Sequence, residues 1–547
     1  MLAHQSPGPA SPRRAVWIGS ALLALAFVVL YVRAIGYPYV WDDRAIYDSP
    51  AYHVGVLEGL TATQHDHLGV DLDQTRMTAA HDSYRPLMYL SYRADVALFG
   101  MKPGPMHAHN LVIALCVIGL AGWTARRWFL PPAWALVAAA IYGLHPLQVE
   151  AVTYVSGRGD LLAAAFALAS VLGALSAVDR EPGTGASRGY VALSALCFLA
   201  SLLSKEAYLA LPIVVALVLW SRGGVGRRAT WPVLALLGVL CGYLVLRLRM
   251  AGSGTGVSPV AGVIALPGIV LDYLWRAACP VDLSTERLYD RSWTPVGWGV
   301  LLVATGTGLH SLRWPERLAT ERLLVRRLVA AYAWVLLLVG PSALIVLLHG
   351  VSADRYMYLP LFGFATGALG FVRWVWDTHP AIRRVVVAAG AIWSALCALI
   401  AYLQVPIWRS DLALYTHATA HSPDASMAHY RLGYVYAREH HCDLATPRFE
   451  RALVLDPNNI RARNNLGVCF LGRGQPAAAA HEFSRVVAAN PSHYRAWLNL
   501  GLAQLALGNQ SGACGSFERA IWINPQYTKA KEAAAHYCRG VAQPTAP

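Results

Sequence analysis

Two adjacent carboxylates and an arginine, Asp42-Asp43-Arg44, follow the aromatic stretch Tyr39-Val40-Trp41, just past the chain's first long apolar run. A carboxylate outside a membrane surface can take the proton of a hydroxyl during group transfer. Neighbouring residues of an extended chain point to opposite sides. One of Asp42 and Asp43 is therefore expected to be the working base, and the other to orient something. Ionisable residues recur at the edges of later apolar runs: His145 and Glu150, Arg158 and Asp160, Lys205-Glu206, and Asp354-Arg355. Charge at the rim of a membrane core is costly, so each cluster points to function by default. Plainer roles compete. His145 and Glu150 could cap a helix end, Arg158 and Asp160 could form a structural ion pair, and Asp354-Arg355 could be a buried salt bridge fixing a loop. Lys205-Glu206 is harder to dismiss, because Ser or Gly would serve in a turn. Arg85, ahead of Pro86, is a candidate phosphate contact. His65 and His67 flank Asp66 and could bind a metal, although a solvated His-rich loop is the commoner reading.

The elements that must position these residues are apolar helices. Of 547 residues, 56% are hydrophobic and 14% charged, and the mean hydropathy is +0.41. A soluble domain carries about 25% charged residues, so the deficit indicates a membrane protein. The net charge of +14 argues against nucleic acid as partner, since the arginines sit in short loops between apolar runs, the positive-inside pattern. Residues 1–14 read as a cytoplasmic tail, and residues 15–405 as a membrane domain of about eleven spans. Its first outer loop, 35–105, carries Asp42, Asp43, Glu58, Asp66, Asp71, Asp73, Asp82 and Arg85. Loops after even-numbered spans carry arginines and read as cytoplasmic; the loop holding Asp179, Arg180, Glu181 and Arg188 is the weakest case. All the clusters above then share the opposite face. A further outer segment, 250–292, is expected to include an interfacial helix.

From about 410 to 540 the composition becomes that of a soluble helical protein with a period of 34. Leu432-Gly433, Leu466-Gly467 and Leu500-Gly501 repeat at that interval, as do Phe449, Phe483 and Phe517, and Pro423, Pro457, Pro491 and Pro525. This is the tetratricopeptide signature: Leu-Gly lets the first helix pack closely, Phe fills the space between helices, and Pro follows the end of the second. The fold class is thus all-α, a polytopic helical membrane domain followed by a short solenoid. Nine cysteines show no zinc spacing. Cys442, Cys469, Cys514 and Cys538 fall in the repeats, where Cys514–Cys538 is the more plausible bridge and free thiols remain equally open.

Six motifs in order complete the pattern: Val40-Trp41-Asp42-Asp43-Arg44, Ser83-Tyr84-Arg85-Pro86-Leu87, His145-Pro146 with Glu150-Ala151-Val152, Gly157-Arg158 with Asp160-Leu161-Leu162, Lys205-Glu206, and Asp354-Arg355-Tyr356-Met357-Tyr358-Leu359-Pro360. With the C-terminal repeats they resemble the transmembrane and tetratricopeptide repeat-containing O-mannosyltransferases. The resemblance implies a GT-C glycosyltransferase fold, a lipid-phosphate-linked sugar as donor and a protein Ser or Thr hydroxyl as acceptor. Catalysis would rest on Asp42 and Asp43, with Arg85, Arg158, Lys205 and Arg355 holding the donor phosphate. His145 and Glu150 would orient sugar or base, with Arg44, Asp160, Glu206 and Asp354 in support. No metal ligand set and no cofactor beyond the lipid-linked donor is indicated, although a divalent metal is compatible. The short repeat array and the Ala/Arg-rich composition suggest a bacterial relative using a polyprenyl phosphate sugar, in an inner membrane with its site on the periplasmic face. A eukaryotic chain would use dolichyl phosphate at a luminal face. The competing classes are a non-catalytic scaffold that recruits partners through the repeats, and a transporter or flippase of lipid-linked sugars, which would place its charges near mid-membrane.

Overall fold

The computed structural model describes residues 12–41, 43, 85–223, 227–250, 259–281, 283–285, 287–311, 313–315, 318–349 and 351–539. Asp42 and residues 44–84, with Arg44, His65 and His67 among them, lie outside the described residues. The chain divides into two compact units that separate between Ser410 and Asp411. Two strands of two residues each, Arg287–Leu288 and Val351–Ser352, are the extended elements among the described residues. Helix makes up nearly all the rest, as an all-α reading requires.

The first unit begins with α1 (Pro12–Tyr31), α2 (Pro86–Phe99), α3 (Pro103–Trp128) and α4 (Pro132–Leu144). It continues with α5 (Arg158–Val178), α6 (Gly185–Ser204), α7 (Leu211–Ser221), α8 (Arg227–Met250) and α9 (Pro259–Ala278). It closes with α10 (Trp293–Ser311), α11 (Ala319–His349), α12 (Pro360–Thr378) and α13 (Arg383–Gln404). Among the described residues, seven helices are long and apolar enough to cross a bilayer, or eight if α4 and the bent continuation Pro146–Thr153 form one span. About eleven were expected. Four expected spans fall outside the seven: α4 breaks by 57° at His145-Pro146, α7 has 11 residues, and α10 and α12 have 19 each, where a span needs roughly 20.

The core of this unit is α5, the most enclosed of the candidate spans. It packs on α6 through small and hydroxylated residues, which let backbones approach where no water drives association. A Cβ on Gly173 would lie 3.0 Å from the Ser194 backbone N. Ser194 donates to the Ser170 carbonyl at 2.8 Å, and Ser201 to that of Ala163 at 2.8 Å. At the far ends of these helices Asp179 accepts from Arg127 (2.6 Å) and Arg222 (3.1 Å). The acidic residue that made this loop ambiguous in sequence therefore ties the arginine-bearing ends of α3, α5 and α7 together. The segment expected to lie at the interface is α9, whose C-terminal turn braces two loops: the Tyr273 hydroxyl donates to Ala353 O at 2.8 Å, and Ala277 O meets His145 Nε2 at 3.0 Å.

The second unit follows its period closely. Its helix pairs are Ser426–Arg438 with Cys442–Leu455, Ile460–Gly472 with Pro476–Ala489, and Tyr494–Ala506 with Gln510–Ile523, flanked by Asp411–His421 and Thr528–Tyr537. A side chain on Gly433, Gly467 or Gly501 would strike the ring of Phe449, Phe483 or Phe517, each at under 3 Å. Each first helix also reaches back to the proline carbonyl before it: His429 to Pro423, Arg463 to Pro457 and Trp497 to Pro491. Both cysteine pairs form disulfides, Cys514–Cys538 and Cys442–Cys469, with Cα separations of 5.7 and 5.2 Å within the usual range.

Candidate active site

The site is built on one irregular turn, residues 154–157, where the short helix Val149–Thr153 hands over to α5. Gly157 is required there, because a Cβ would lie 2.3 Å from Ala151 O. The turn's carbonyls are held from α2 and α3: Tyr92 donates to Val155 O (2.9 Å), and Asn110 to Tyr154 O (3.1 Å) and Val155 O (3.2 Å). Its N–H groups point the other way, toward Asp43. The Asp43 carboxylate accepts from Ser156 N at 2.8 Å, Ser156 Oγ at 2.7 Å and Val155 N at 3.3 Å. It occupies the N-terminal approach to a long helix, where anions are favoured. Asp43 is 0% exposed. Burial pushes its carboxyl up to about 7, against the hydrogen bonds from Ser156, Val40 and Val155, which pull it down.

Two residues earlier, Trp41 has φ 53°, in the left-handed region that costs a bulky residue on the order of 1–3 kcal/mol. Aromatic stacking offsets that cost. The Trp41 ring stacks 5.4 Å from Tyr154 and 6.4 Å from Trp408, which meet each other tilted at 5.4 Å. The Arg355 guanidinium sits 5.2 Å above the Trp41 ring. The chain on either side of position 42 is thus pinned, by Trp41 in an aromatic box and by Asp43 on the turn.

Each ionisable motif then pairs with a different motif rather than within itself. Arg85 donates to both oxygens of Glu206, at 2.9 and 2.7 Å. Lys205 Nζ lies 2.7 Å from both oxygens of Asp160. Glu150 accepts from the Arg355 guanidinium and, at 3.2 Å, from its backbone N–H. The expected local pairs, Arg158 with Asp160 and Asp354 with Arg355, are not formed. Residues so close in sequence leave the chain in different directions. Burial raises the Asp354 carboxyl well above the carboxylate range, with Glu150 and Asp272 adding to it and Arg276 and Arg355 opposing. Arg276 donates to both oxygens of Asp272, at 2.7 and 2.9 Å.

Two expected roles change. Arg158 is 0% exposed; it donates to Asn110 Oδ1 (2.8 Å), Met106 O (2.9 Å) and Ser91 O (3.3 Å), and pairs with Asp95 at 2.5 Å. Its guanidinium also lies over the Tyr92 ring. With its donors committed and no open face, it braces the turn rather than reaching a phosphate. His145, also 0% exposed, caps the turn Pro146–Gln148 by accepting from Leu147 N at 3.2 Å, while its other nitrogen meets Ala277 O. It serves the bend in α4 and does not face a sugar.

The structure does bring together Arg85, Lys205 and Arg355. Their side chains are 19, 14 and 19% exposed, and they lie near enough for Arg85 and Arg355 to repel the Lys205 charge. Burial lowers Lys205 first and Asp160 resists. For Glu206 burial works upward, but the Arg85 charge prevails and holds it at about 2. Sequence reasoning missed Asp95, Asn110, Ser156, Trp408 and Arg247. Of these only Asp95, a carboxylate two residues after Arg93 in the mainly apolar α2, carried a visible signal. Arg247, near the end of α8, acts on the Glu206 charge, and its buried Nη1 has no hydrogen-bond partner. Among the described residues no three His, Cys, Asp or Glu side chains gather as a metal would need.

A tetratricopeptide repeat model matches residues 430–480 and 470–530. The chain is similar to Protein O-mannosyl-transferase TMTC1 of mouse, 31% identical over 194 residues, 34% of this chain and 20% of the relative. It is similar to Protein O-mannosyl-transferase Tmtc2 of Drosophila melanogaster, 33% identical over 208 residues, 37% of this chain and 22% of the relative. It thus spans about a fifth of the length of the curated relatives it matches. Among solved structures, ArnT from Cupriavidus metallidurans bound to undecaprenyl phosphate aligns over 87% of this chain and 80% of its own, at 17% identity and TM-score 0.37. The resemblance carried by the six ordered motifs is therefore met by relatives named as protein O-mannosyl-transferases.

Proposed function

We propose that the chain is a membrane glycosyltransferase that moves a sugar, mannose by its relatives' names, from a polyprenyl-phosphate carrier to Ser or Thr hydroxyls of a protein. The observation that carries this reading is the contact of Arg355 with Trp41, which sets a cation beside the pinned segment containing position 42. Because both oxygens of Asp43 accept hydrogen bonds from the turn, the base is Asp42, and Asp43 positions it. Asp42 takes the acceptor's hydroxyl proton as the acceptor oxygen bonds to the sugar's anomeric carbon. The bond from that carbon to the phosphate oxygen breaks, and polyprenyl phosphate leaves.

The leaving phosphate needs positive charge fixed in place. Arg85, Lys205 and Arg355 are each matched by one carboxylate, so those three pairs sum to zero. Arg247 supplies the surplus cation: Glu206, the carboxylate in its field, is already held by Arg85. The donor phosphate is assigned to Arg247 together with the exposed edges of Arg85, Lys205 and Arg355. The reading places this site on the face opposite the arginine-rich loops, in the periplasm of a bacterium. Two disulfides in the repeat unit favour an oxidising compartment for that unit, where its repeats would hold the acceptor segment.

The test is intact-glycoprotein mass spectrometry of envelope fractions from cells carrying wild type, Asp42→Asn or Asp43→Asn. Asp42→Asn is expected to lower transfer by about 10²–10⁴-fold with the protein still inserted, and Asp43→Asn to lower it less. Full glycan occupancy in both single variants and the double variant refutes the assignment. Unchanged glycans on deleting the chain would leave the scaffold role in its place.

A further inference from the structure

A groove far from that site has a ligand chemistry of its own. Between α1, α3 and α4 lies a cavity of about 510 Å³, lined by Trp17, Leu23, Leu115, Gly119, Ala139 and, at one end, Arg126. Its floor is open at Gly119, where an added Cβ would meet nothing within 4 Å. From Leu115 to Arg126 the groove follows eleven residues of α3, about 16 Å at 1.5 Å per residue. That is one leaflet of a hydrocarbon core about 30 Å thick. Ser20 apart, the lining is apolar up to one end, where Arg126 is exposed and α1 begins with exposed Arg13. Trp17 and Trp123, 77 and 54% exposed, stand at the same end, as aromatic rings do at headgroup level.

We propose that this groove is a binding site for one anionic glycerophospholipid of the leaflet at the arginine-rich end, with an acyl chain along α3 and the phosphate at Arg126 and Arg13. Charge and depth together select this occupant: a neutral lipid leaves the arginines unmatched, and a chain spanning both leaflets overruns the cavity. The lipid also completes a helix that protein alone covers poorly, since only 17% of the apolar window of α1 is buried. α1 runs through the turn Val32–Gly36 toward Trp41 and Asp43, so the bound lipid steadies the root of the catalytic segment from the opposite leaflet.

The experiment uses the full chain in mild detergent, with phosphatidylglycerol and phosphatidylcholine as probes in native mass spectrometry. Wild type is expected to retain one phosphatidylglycerol at least about fivefold over phosphatidylcholine. Gly119→Leu, which fills the groove, should lower retention of both about tenfold. Arg126→Gln, a surface change that leaves the cavity intact, should abolish the preference alone. The proposal is overturned if wild type shows no preference, if both variants retain lipid as wild type does, if undecaprenyl phosphate displaces the bound lipid, or if cross-links from position 17 join two copies of the chain. None of these readouts depends on glycosyl transfer, so the site and the proposed reaction stand or fall separately.

Discussion

Arg158 and Arg355 belong to the same set of ordered motifs, yet they are used in opposite ways. Arg158 is fully enclosed, and its donors go to Asn110, Met106, Ser91 and Asp95. Arg355 has one carboxylate partner, an aromatic ring beneath it and an exposed edge. The contrast separates cations that build the site from cations that can meet a ligand. Three pairs join one motif to another, 85 to 206, 150 to 355 and 160 to 205, while 43 turns to Ser156 and 158 to Asp95, outside the motifs. Their order along the chain is thus a wiring pattern for one end of the membrane unit. The surplus charge, Arg247, lies outside the motifs.

Substituting each arginine should split stability from activity. Arg158→Met leaves the buried Asp95 with His109, 2.8 Å from its Oδ1, but without the fixed charge of Arg158, a change that costs up to about 3–5 kcal/mol. A large fall in melting temperature in detergent is expected, with transfer lost because the fold is lost. Arg158→Met that melts like wild type but is inactive would mean that Arg158 meets the substrate after all. Arg355→Gln keeps an amide donor for Glu150 and should melt within about 1–2 kcal/mol of wild type. Its turnover should nevertheless fall about 10²–10³-fold, the usual cost of one electrostatic donor at a developing charge.

The same contrast explains what could be read from sequence. In the repeats, partners lie a fixed interval apart, so Gly467 against Phe483 follows from the period alone. In the membrane unit the positions of the charges were legible, because charge is rare there, but their partners were not. Trp41 meets Trp408 and Glu150 meets Arg355 only once the helices are stacked, and no local pattern encodes that. Arg158 looked like a ligand residue because its partners, Asn110 and the carbonyls of Ser91 and Met106, carry no sequence signature. Local apolarity does not set helix length either: α4 and α7 are apolar enough to suggest crossings, but Pro146 bends the first and the second ends after 11 residues.

Arg247 offers a finer test, since it is proposed to bind rather than build. Arg247→Gln should weaken binding of undecaprenyl phosphate about tenfold, the loss of one charged hydrogen bond, and lower kcat/KM for donor by at least as much, since the same charge meets the leaving phosphate. Arg247→Lys should recover part of that loss. If wild type binds undecaprenyl phosphate and Arg247→Gln binds it equally well, the phosphate is held elsewhere and the charge ledger of the three pairs is wrong.

The last test, and the one that probes the building side most directly, is on pH. Asp43 and Glu206 are both carboxylates of this end, but burial dominates the first and an arginine the second. Asp43 is raised from 3.8 to about 7, so the folded state holds a proton that the unfolded chain gives up near pH 4. Its contribution is fully present below pH 3.8 and is lost as pH rises through about 7. Glu206 is lowered from 4.5 to about 2; its contribution is present above pH 4.5, lost only as pH falls through 2, and flat across the assay range. The difference in melting temperature between wild type and Asp43→Asn should therefore shift against wild type between about pH 5 and 7, while that for Glu206→Gln stays constant over the same window. A constant difference for Asp43→Asn would mean that the four donors around Asp43 outweigh its burial and keep it ionised. The turn would then be held by a charge rather than by a shared proton, and both carboxylates of the Asp42-Asp43 pair would carry charge at neutral pH.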